Sequence, residues 1–295
     1  MPPRVEVEVE GRKLSLSNLD KVMYPATGFT KGQVIEYYTR VAPVLLPHLR
    51  DRPLTLKRYP NGVEGKFFYE KQCPSHRPEW VQTVPVPVSS RTIDFCLCND
   101  LPTLVWLANL ADIELHPSLS RADRIERPAA MAFDLDPGEG AGLARCCEVA
   151  LILRESLAQL GLQSFPKTSG SKGLQIYVPL NRDDVTYDDT KPLAHALAKH
   201  LEAEHPKLIV SRQKKELRRG KVLIDWSQND ENKTTVCVYS LRARERPTVS
   251  TPLEWSELDD PDALAFEADD VLERVAERGD LFEPVVELPQ ELPQL

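Results

Sequence analysis

The spacing of apolar and polar residues predicts two helices in the first part of the chain. Thr30 and Gln33 match the capping-box pattern that begins many helices. The apolar residues after them recur at helical spacing, which predicts an amphipathic helix over 31–49. A second, shorter apolar helix is predicted over 101–111.

From Ala129 onward, strand patterns alternate with helical patterns. Four apolar stretches predict strands, namely AAMAFDLD, LQIYVPL, KVLIDW and TTVCVYSL. Helical spacing occurs over 142–160, around 193–201 and at about 267–279, whereas 283–295 is expected to form an extended tail. These patterns predict a mixed α/β (α+β) fold.

Charge is distributed unevenly, although the formal net charge of the 295 residues is −8. Residues 254–295 contain 14 acidic and two basic residues, so the rest of the chain has 35 basic against 31 acidic residues. The segment Lys207–Lys221 carries seven Lys or Arg and one Glu. Such a patch suits contact with polyphosphate or nucleic acid, but a solvated helix or loop has the same composition.

Composition argues against a membrane protein and a disulfide scaffold. The chain is 41% hydrophobic and 28% charged, and it has no run of about 18 apolar residues and no apolar stretch near its start. The six cysteines follow neither a disulfide framework nor a zinc-site spacing. We therefore expect reduced structural thiols in a cytoplasmic protein that does not engage a membrane.

Two carboxylates at the end of a predicted strand are the sharpest chemical feature. Residues i and i+2 of a strand project to the same face, so Asp134 and Asp136 should lie side by side. Their mutual repulsion would be relieved by Mg²⁺ or Mn²⁺, which prefer oxygen ligands. A solvent-facing pair before the Pro137–Gly138 turn is the alternative.

Two further features indicate a functional site only in combination with Asp134 and Asp136. Asp225 ends another apolar strand, where an aspartate is commonly a turn cap. The loop Ser169–Gly173 has small residues that would let backbone N–H groups approach phosphate, although an ordinary hairpin loop has similar composition. Three carboxylates brought together would provide what two-metal nucleotidyl transfer requires.

In combination these motifs resemble a known superfamily. Asp134-x-Asp136, the Ser169–Gly173 loop and a hydrophobic strand ending at Asp225 resemble, in that order, the three motifs of the archaeo-eukaryotic primases. Longer strings resemble the polymerase domain of bacterial ligase D: LSNLDKVMYPATGFTK, RPLTLKRYPNGVEGKFFYEKQ, AFDLDPGEG, TSGSKGLQIYVPL, GKVLIDWSQND and YSLRAR.

The resemblance implies a primase-like catalytic core with mixed sheets around a central active-site cleft. A single domain is expected over 1–282, with DNA-end contacts in 1–125, the catalytic core in 126–250 and a helical segment in 251–282, followed by the extended tail. The implied activity is template-dependent addition of NTPs or dNTPs to a 3′-hydroxyl at gaps and broken DNA ends in bacterial non-homologous end joining.

The resemblance also implies roles for individual residues. Asp134, Asp136 and Asp225 would be the catalytic ligands of two Mn²⁺ or Mg²⁺ ions. The implied nucleotide-binding residues are Lys57, His116, Ser169, Lys172, Gly173, Gln175, Gln228 and Arg242. The implied DNA-binding residues are Asn18, Lys21 and Lys31 at a 5′-phosphate, Phe67 and Phe68 against bases, and Arg218 on the backbone. One of the two phenylalanines could instead belong to the core.

The implied partners are DNA ends or a gapped duplex with a 5′-phosphate, together with Ku and a separate DNA ligase. Cytoplasmic location with association to the nucleoid when DNA is bound follows from the same resemblance.

One residue departs from the superfamily pattern. The second motif usually ends in His, and here Gln175 stands in its place. Glutamine cannot become cationic, which puts triphosphate affinity in question. This motivates an alternative function, a catalytically weak DNA-end-binding module that recognises 5′-phosphates. A phosphatase with Asp134 as nucleophile is a third reading, disfavoured because Gly138 stands where Thr or Val is preferred.

Overall fold

A computed structural model describes residues 4–88 and 91–293 of the chain. The helices are α1 Lys31–Leu49, α2 Leu101–Asn109, α3 Leu143–Gln159, α4 Tyr187–Glu204, α5 Ala268–Arg278 and α6 Pro284–Glu287. The strands are β1 Arg4–Val9, β2 Arg12–Ser17, β3 Val22–Tyr24, β4 Phe29–Thr30, β5 Leu54–Arg58, β6 Phe68–Glu70, β7 Thr83–Val88, β8 Arg91–Cys96, β9 Asp112–Pro117, β10 Ala130–Pro137, β11 Phe165–Thr168, β12 Leu174–Pro179, β13 Ile209–Val210 and β14 Val222–Asp225. The expected mixed α/β composition is confirmed.

The chain forms two compact units and passes between them repeatedly. The first unit contains the described residues up to 118 together with 236–250 and 266–280. The second contains 119–235, 251–265 and the described residues from 281 onward. The sequential segments expected from the sequence, with limits at 125, 250 and 282, do not coincide with these units.

The first unit is built around a five-stranded sheet. Its strands follow the order β6-β5-β8-β7, and β9 pairs antiparallel with β5. Helix α1 begins where the sequence predicts, because the Thr30 hydroxyl accepts from the Gln33 N–H and the Gln33 side chain accepts from the Thr30 N–H. Helices α2 and α5 pack against α1, so its apolar face is buried.

The second unit is built around the sheet β11-β12-β10-β14-β13. All pairs are antiparallel except β13–β14. Along β10, the fully buried Phe133 and Leu135 alternate with Asp134 and Asp136, so one face of the strand is apolar and the other ends in carboxylates. Helix α3 packs on this sheet, and its Cys146 thiol donates to the Leu135 carbonyl.

The prediction that TTVCVYSL forms a strand is wrong. This segment is buried but irregular, because Tyr239 has φ +63°, outside the range of a strand. The N–H of Cys237 donates to the Leu115 carbonyl, and the N–H of Tyr239 donates to the Ser250 carbonyl. An apolar run indicates burial, but it does not distinguish a strand from a well-bonded irregular segment.

The expected extended tail is also wrong within the described residues. Pro284–Glu287 forms α6, in which Val285 is buried. Farther on, the Gln290 N–H donates to the Leu180 carbonyl, and its side-chain amide donates to the Pro179 carbonyl. These bonds attach the described part of the tail to the end of β12.

The expectation that all cysteines are reduced is wrong for one pair. Cys73 and Cys96 form a disulfide with Cα atoms 5.0 Å apart. The N–H of Cys73 donates to the carbonyl of Asp94, which places Cys73 beside the end of β8. The other four cysteines are buried and lie outside this disulfide: Cys98, Cys146, Cys147 and Cys237.

Within the described part of the chain, no helix combines the length and the apolar character that crossing a membrane requires.

Candidate active site

The carboxylates predicted from the sequence lie together on one face of the second unit's sheet. Asp134 on β10 stands directly opposite Asp225 on β14, and antiparallel partners project to the same face about 5 Å apart. Asp136 lies two residues farther along β10, on the same face. The strand register therefore brings together three acids that are up to 91 positions apart in the sequence.

Their proximity changes the protonation of Asp134. Burial, and after it the negative charges of Asp136 and Asp225, raise the pKa of this carboxyl from 3.8 to about 7, although the Gln175 hydrogen bond and the Lys167 charge act in the opposite direction. A divalent cation would relieve this repulsion, and carboxylate oxygens are ligands that Mg²⁺ and Mn²⁺ prefer. The chemistry of these donors fits such an ion.

Asp225 is already engaged by its own strand end. Its Oδ1 accepts from the Ser227 N–H at 2.9 Å and from the Ser227 hydroxyl at 2.6 Å, while Oδ2 accepts from Gln228 Nε2 at 3.3 Å. It therefore caps the short turn at Trp226–Gln228, and Gln228 contacts this carboxylate. Among residues 4–88 and 91–293, no group of three or more His, Cys, Asp or Glu side chains is gathered closely enough to hold a metal ion as it stands.

A buried lysine that was not predicted from the sequence lies in the same cross-strand row as Asp134 and Asp225. Lys167 on β11 is opposite Gln175 on β12, which in turn is opposite Asp134. Its side chain is fully buried, lies 5.6 Å from the centre of the Tyr177 ring and lowers the pKa of Asp134. The sequence offered only a lysine two residues before the Ser169–Gly173 loop, and no local pattern marked it as buried.

Gln175 belongs to this row and lies within the sheet. It is only 3% exposed, its Nε2 donates to the Thr235 hydroxyl at 3.0 Å, and it also hydrogen bonds to Asp134. Its Oε1 is buried with no hydrogen-bond partner. The residue that replaces the usual histidine therefore contacts Asp134 directly.

The predicted phosphate-binding loop closes on its own serine. Ser169 Oγ accepts from the N–H groups of Ser171 at 3.3 Å and Gly173 at 3.2 Å. Lys172 is exposed at the tip of the loop. Gly173 packs so tightly on β10 that a Cβ atom would lie 2.0 Å from the Leu135 carbonyl oxygen. The loop is thus held against the strand that carries the acids.

The basic segment Lys207–Lys221 also packs at the end of β10, the strand that carries Asp134 and Asp136. The N–H of Gly138 donates to the Lys221 carbonyl at 2.8 Å, and a Cβ on Gly138 would lie 1.8 Å from the Arg218 carbonyl oxygen. The Arg218 guanidinium donates to the carbonyl and side chain of Gln213. The predicted DNA-contact residue is therefore close in space to the end of β10.

In the first unit, three predicted nucleotide-binding residues converge on a carboxylate that the sequence analysis missed. Glu114 Oε2 lies 3.1 Å from Lys57 Nζ, 3.0 Å from His116 Nε2 and 3.4 Å from Arg242 Nε. Glu114 and His116 share β9, which is paired with β5 and Lys57. The only signal in the sequence was the i, i+2 spacing of Glu114 and His116, which places both side chains on one face if the segment is a strand.

Aromatic side chains surround Lys57. Its ammonium lies 4.8 Å from the ring centre of Phe67 and 5.5 Å from those of Tyr59 and Tyr69. Phe67, Phe68 and Tyr69 are all exposed, so neither phenylalanine belongs to the core. Tyr69, at 58% exposed, is a further candidate for stacking that the sequence analysis did not name.

Lys21 and Lys31 lie close together at the start of α1. Lys31 Nζ donates to the Ser17 carbonyl at 2.6 Å and to Asn109 Oδ1 at 2.8 Å. Burial lowers the pKa of Lys31 to about 8, and the charge of Lys21 contributes to the same effect. Asn18, with φ +55°, forms the turn in which its carbonyl accepts from the Lys21 N–H. Two lysines at a helix N-terminus form a setting that favours a phosphate dianion.

Comparison with known proteins gives a consistent family match. A family model described as "LigD, primase-polymerase domain" matches residues 30–282. The chain is 43% identical over 275 residues to the multifunctional non-homologous end joining protein LigD of Mycolicibacterium smegmatis, covering 92% of this chain and 36% of that protein. It is 32% identical over 282 residues to the bifunctional non-homologous end joining protein LigD of Bacillus subtilis, covering 95% and 45%. The chain thus spans between a third and a half of the length of these curated relatives.

A solved structure shares the fold. The polymerase domain from Mycobacterium tuberculosis ligase D, determined in complex with DNA, matches with a TM-score of 0.88 and 42% sequence identity. The match covers 94% of this chain and 99% of that chain. The expected primase-like α+β fold is confirmed.

Proposed function

Because this chain belongs to the LigD primase-polymerase family, whose members are DNA-directed nucleotidyltransferases of bacterial non-homologous end joining, we propose that it adds NTPs or dNTPs to a 3′-hydroxyl at gaps and broken DNA ends. The observation that carries the proposal is the placement of Asp134, Asp136 and Asp225 on one sheet face. In the reaction, the 3′-oxygen bonds to the α-phosphorus, the bond to pyrophosphate breaks, and the hydroxyl proton is lost.

The acids are proposed to hold two divalent cations, Mn²⁺ or Mg²⁺. Asp134 and Asp136 would contact both, and Asp225 would complete the site nearest the primer terminus while Gln228 keeps its carboxylate oriented. When bound, such ions supply positive charge to the attacking oxygen and the triphosphate. Lys167 would limit the repulsion within the row when the ions are exchanged.

Further residues are proposed to recognise the substrates. Lys57, His116 and Arg242 would bind the triphosphate and sugar. Ser169, Lys172 and Gly173 are the proposed nucleotide-binding residues of the loop. Phe67 and Phe68 would stack on bases, since both rings are exposed. Arg218 would contact the DNA backbone. Ku and a separate DNA ligase are the proposed partners, in the cytoplasm and at the nucleoid.

The test is incorporation of NTPs and dNTPs, with Mn²⁺ or Mg²⁺, opposite a one-nucleotide gap bearing a downstream 5′-phosphate. Template-directed extension by the wild type, and none by Asp225→Ala, is expected. The same gels report the preferred sugar and metal. Absence of extension by a wild type that binds the duplex would instead support the DNA-end-binding module.

Discrimination between 5′-phosphate and 5′-hydroxyl ends is expected to weaken as pH rises through 8. The pKa of Lys31 is about 8 in the free protein, and a bound phosphate dianion would raise it, so binding takes up a proton above pH 8. The preference should therefore fall by up to about tenfold per pH unit. Binding constants for the two duplexes between pH 7 and 9.5 measure this. A Lys31→Arg variant should have a flatter profile, and a ratio independent of pH in the wild type would contradict the assignment.

A further inference from the structure

Glu114 is a buried carboxylate at the centre of the first unit's cationic cluster. Its side chain is 2% exposed, whereas those of Lys57, His116 and Arg242 are each 12% exposed. The carboxylate therefore lies behind these three groups, and they lie nearer to solvent. A buried carboxylate without countercharges is strongly disfavoured, so its position depends on the cations around it.

The two carboxylate oxygens have different partners. Oε1 accepts from the Tyr59 hydroxyl at 3.2 Å and from the Ala243 N–H at 3.1 Å, which attach it to the surrounding structure. Oε2 faces Lys57, His116 and Arg242 at 3.0 to 3.4 Å. One oxygen thus anchors the side chain while the other gathers three groups from three segments of the chain.

The ionised state of Glu114 is strongly favoured. Burial alone would raise its pKa, but the hydrogen bond from His116 and the charges of Arg242 and Lys57 outweigh it, so the pKa lies well below its usual range. One negative charge then opposes two permanent positive charges. The cluster keeps net positive charge for an anionic ligand, but the cations do not drive each other apart.

We propose that Glu114 is the positioning residue of the nucleotide site, holding Lys57, His116 and Arg242 at the separations that a triphosphate and sugar require. This role rests on the proposed function, because the ligand of the three residues is the incoming nucleotide. Glu114 acts through these side chains and does not contact the nucleotide itself. Its contribution is to binding geometry, so it affects nucleotide affinity more than the chemical step.

The decisive variant is Glu114→Gln, which keeps the size and one acceptor oxygen but removes the charge. We expect the KM for the nucleotide to rise roughly 10- to 100-fold, while kcat changes by less than about threefold. In histidine NMR titrations the pKa of His116, already lowered by burial, should fall further, because Glu114 is the partner that raises it. An unchanged KM, or a loss confined to kcat, would overturn the proposal.

Three additional variants keep the result interpretable. Glu70→Gln removes a carboxylate that pairs with Arg58 at 2.7 Å on the neighbouring strands and should leave KM unchanged. If Glu114→Gln does not fold, Glu114→Asp takes its place. Asp keeps the negative charge, but its side chain is one methylene shorter, so the carboxylate lies farther from the three groups. An intermediate rise in KM would support the role, and wild-type KM would overturn it.

Lys57→Met separates this inference from the proposed function. If Lys57→Met leaves KM unchanged, the nucleotide site itself is wrongly assigned. If Lys57→Met raises KM and Glu114→Gln does not, only the positioning role fails.

Discussion

Asp134→Asn is expected to abolish nucleotide incorporation, by at least about 10³-fold, while making the folded protein more stable. Activity is lost because Asn supplies only a neutral oxygen in place of a metal-binding carboxylate. Stability rises because the pKa of Asp134 is raised from 3.8 to about 7 by burial and by Asp136 and Asp225. The folded protein then holds this proton up to about pH 7 while the unfolded chain releases it near pH 4, so stability is lost as pH rises through that window.

Because asparagine cannot ionise, the Asp134→Asn variant should not lose stability as pH rises through this window. We expect a gain of roughly 1–3 kcal/mol in the free energy of unfolding at pH 8, and little change at pH 4. Chemical denaturation in the presence of a chelator measures stability, and extension of a gapped duplex measures activity. Asp94→Asn, at an exposed position of β8, should change neither. Wild-type incorporation by Asp134→Asn would refute the catalytic assignment, and simultaneous loss of stability and activity would indicate a structural role.

Gly173→Ala is expected to destabilise the protein by about 3 kcal/mol or more and to reduce incorporation at least about 100-fold. Its Cβ would lie 2.0 Å from the Leu135 carbonyl oxygen and 3.3 Å from Pro137 Cδ. Because the obstacle is backbone, no side-chain rotation relieves it, and β12 must move away from β10. That movement separates Gln175 from Asp134 and displaces the Ser169 loop.

Gly142→Ala is the matched control. Gly142 precedes α3 with φ −99°, and no heavy atom lies within 4 Å of an added Cβ. A cost of at most about 1 kcal/mol and near-normal activity are expected. Equal stabilities of the two variants would show that β12 tolerates displacement. Normal incorporation by Gly173→Ala would show that the contact does not organise the site.

The local devices of the fold could be predicted from nearby residues. Thr30 and Gln33 set the start of α1 because a capping box acts within four residues. The alternation of side chains along β10 also involves only neighbouring residues, so it correctly predicted that Asp134 and Asp136 lie on one face. The segment TTVCVYSL was assigned wrongly because its conformation depends on bonds to residues outside it, namely to Ser250 and to Leu115, which is more than 100 positions away in the sequence.

The sequence by itself determined the three motifs, the family, the helices α1 to α5 and the strands β10, β12 and β14, because these depend on residue spacing within short windows. Only the tertiary structure determined which distant residues contact the residues of these motifs. Lys167 joins the acids through two strand registers, and Glu114 joins Arg242 across 128 positions. Such contacts bury charges whose cost is met only by partners brought in from distant segments, and no local pattern specifies which partners arrive.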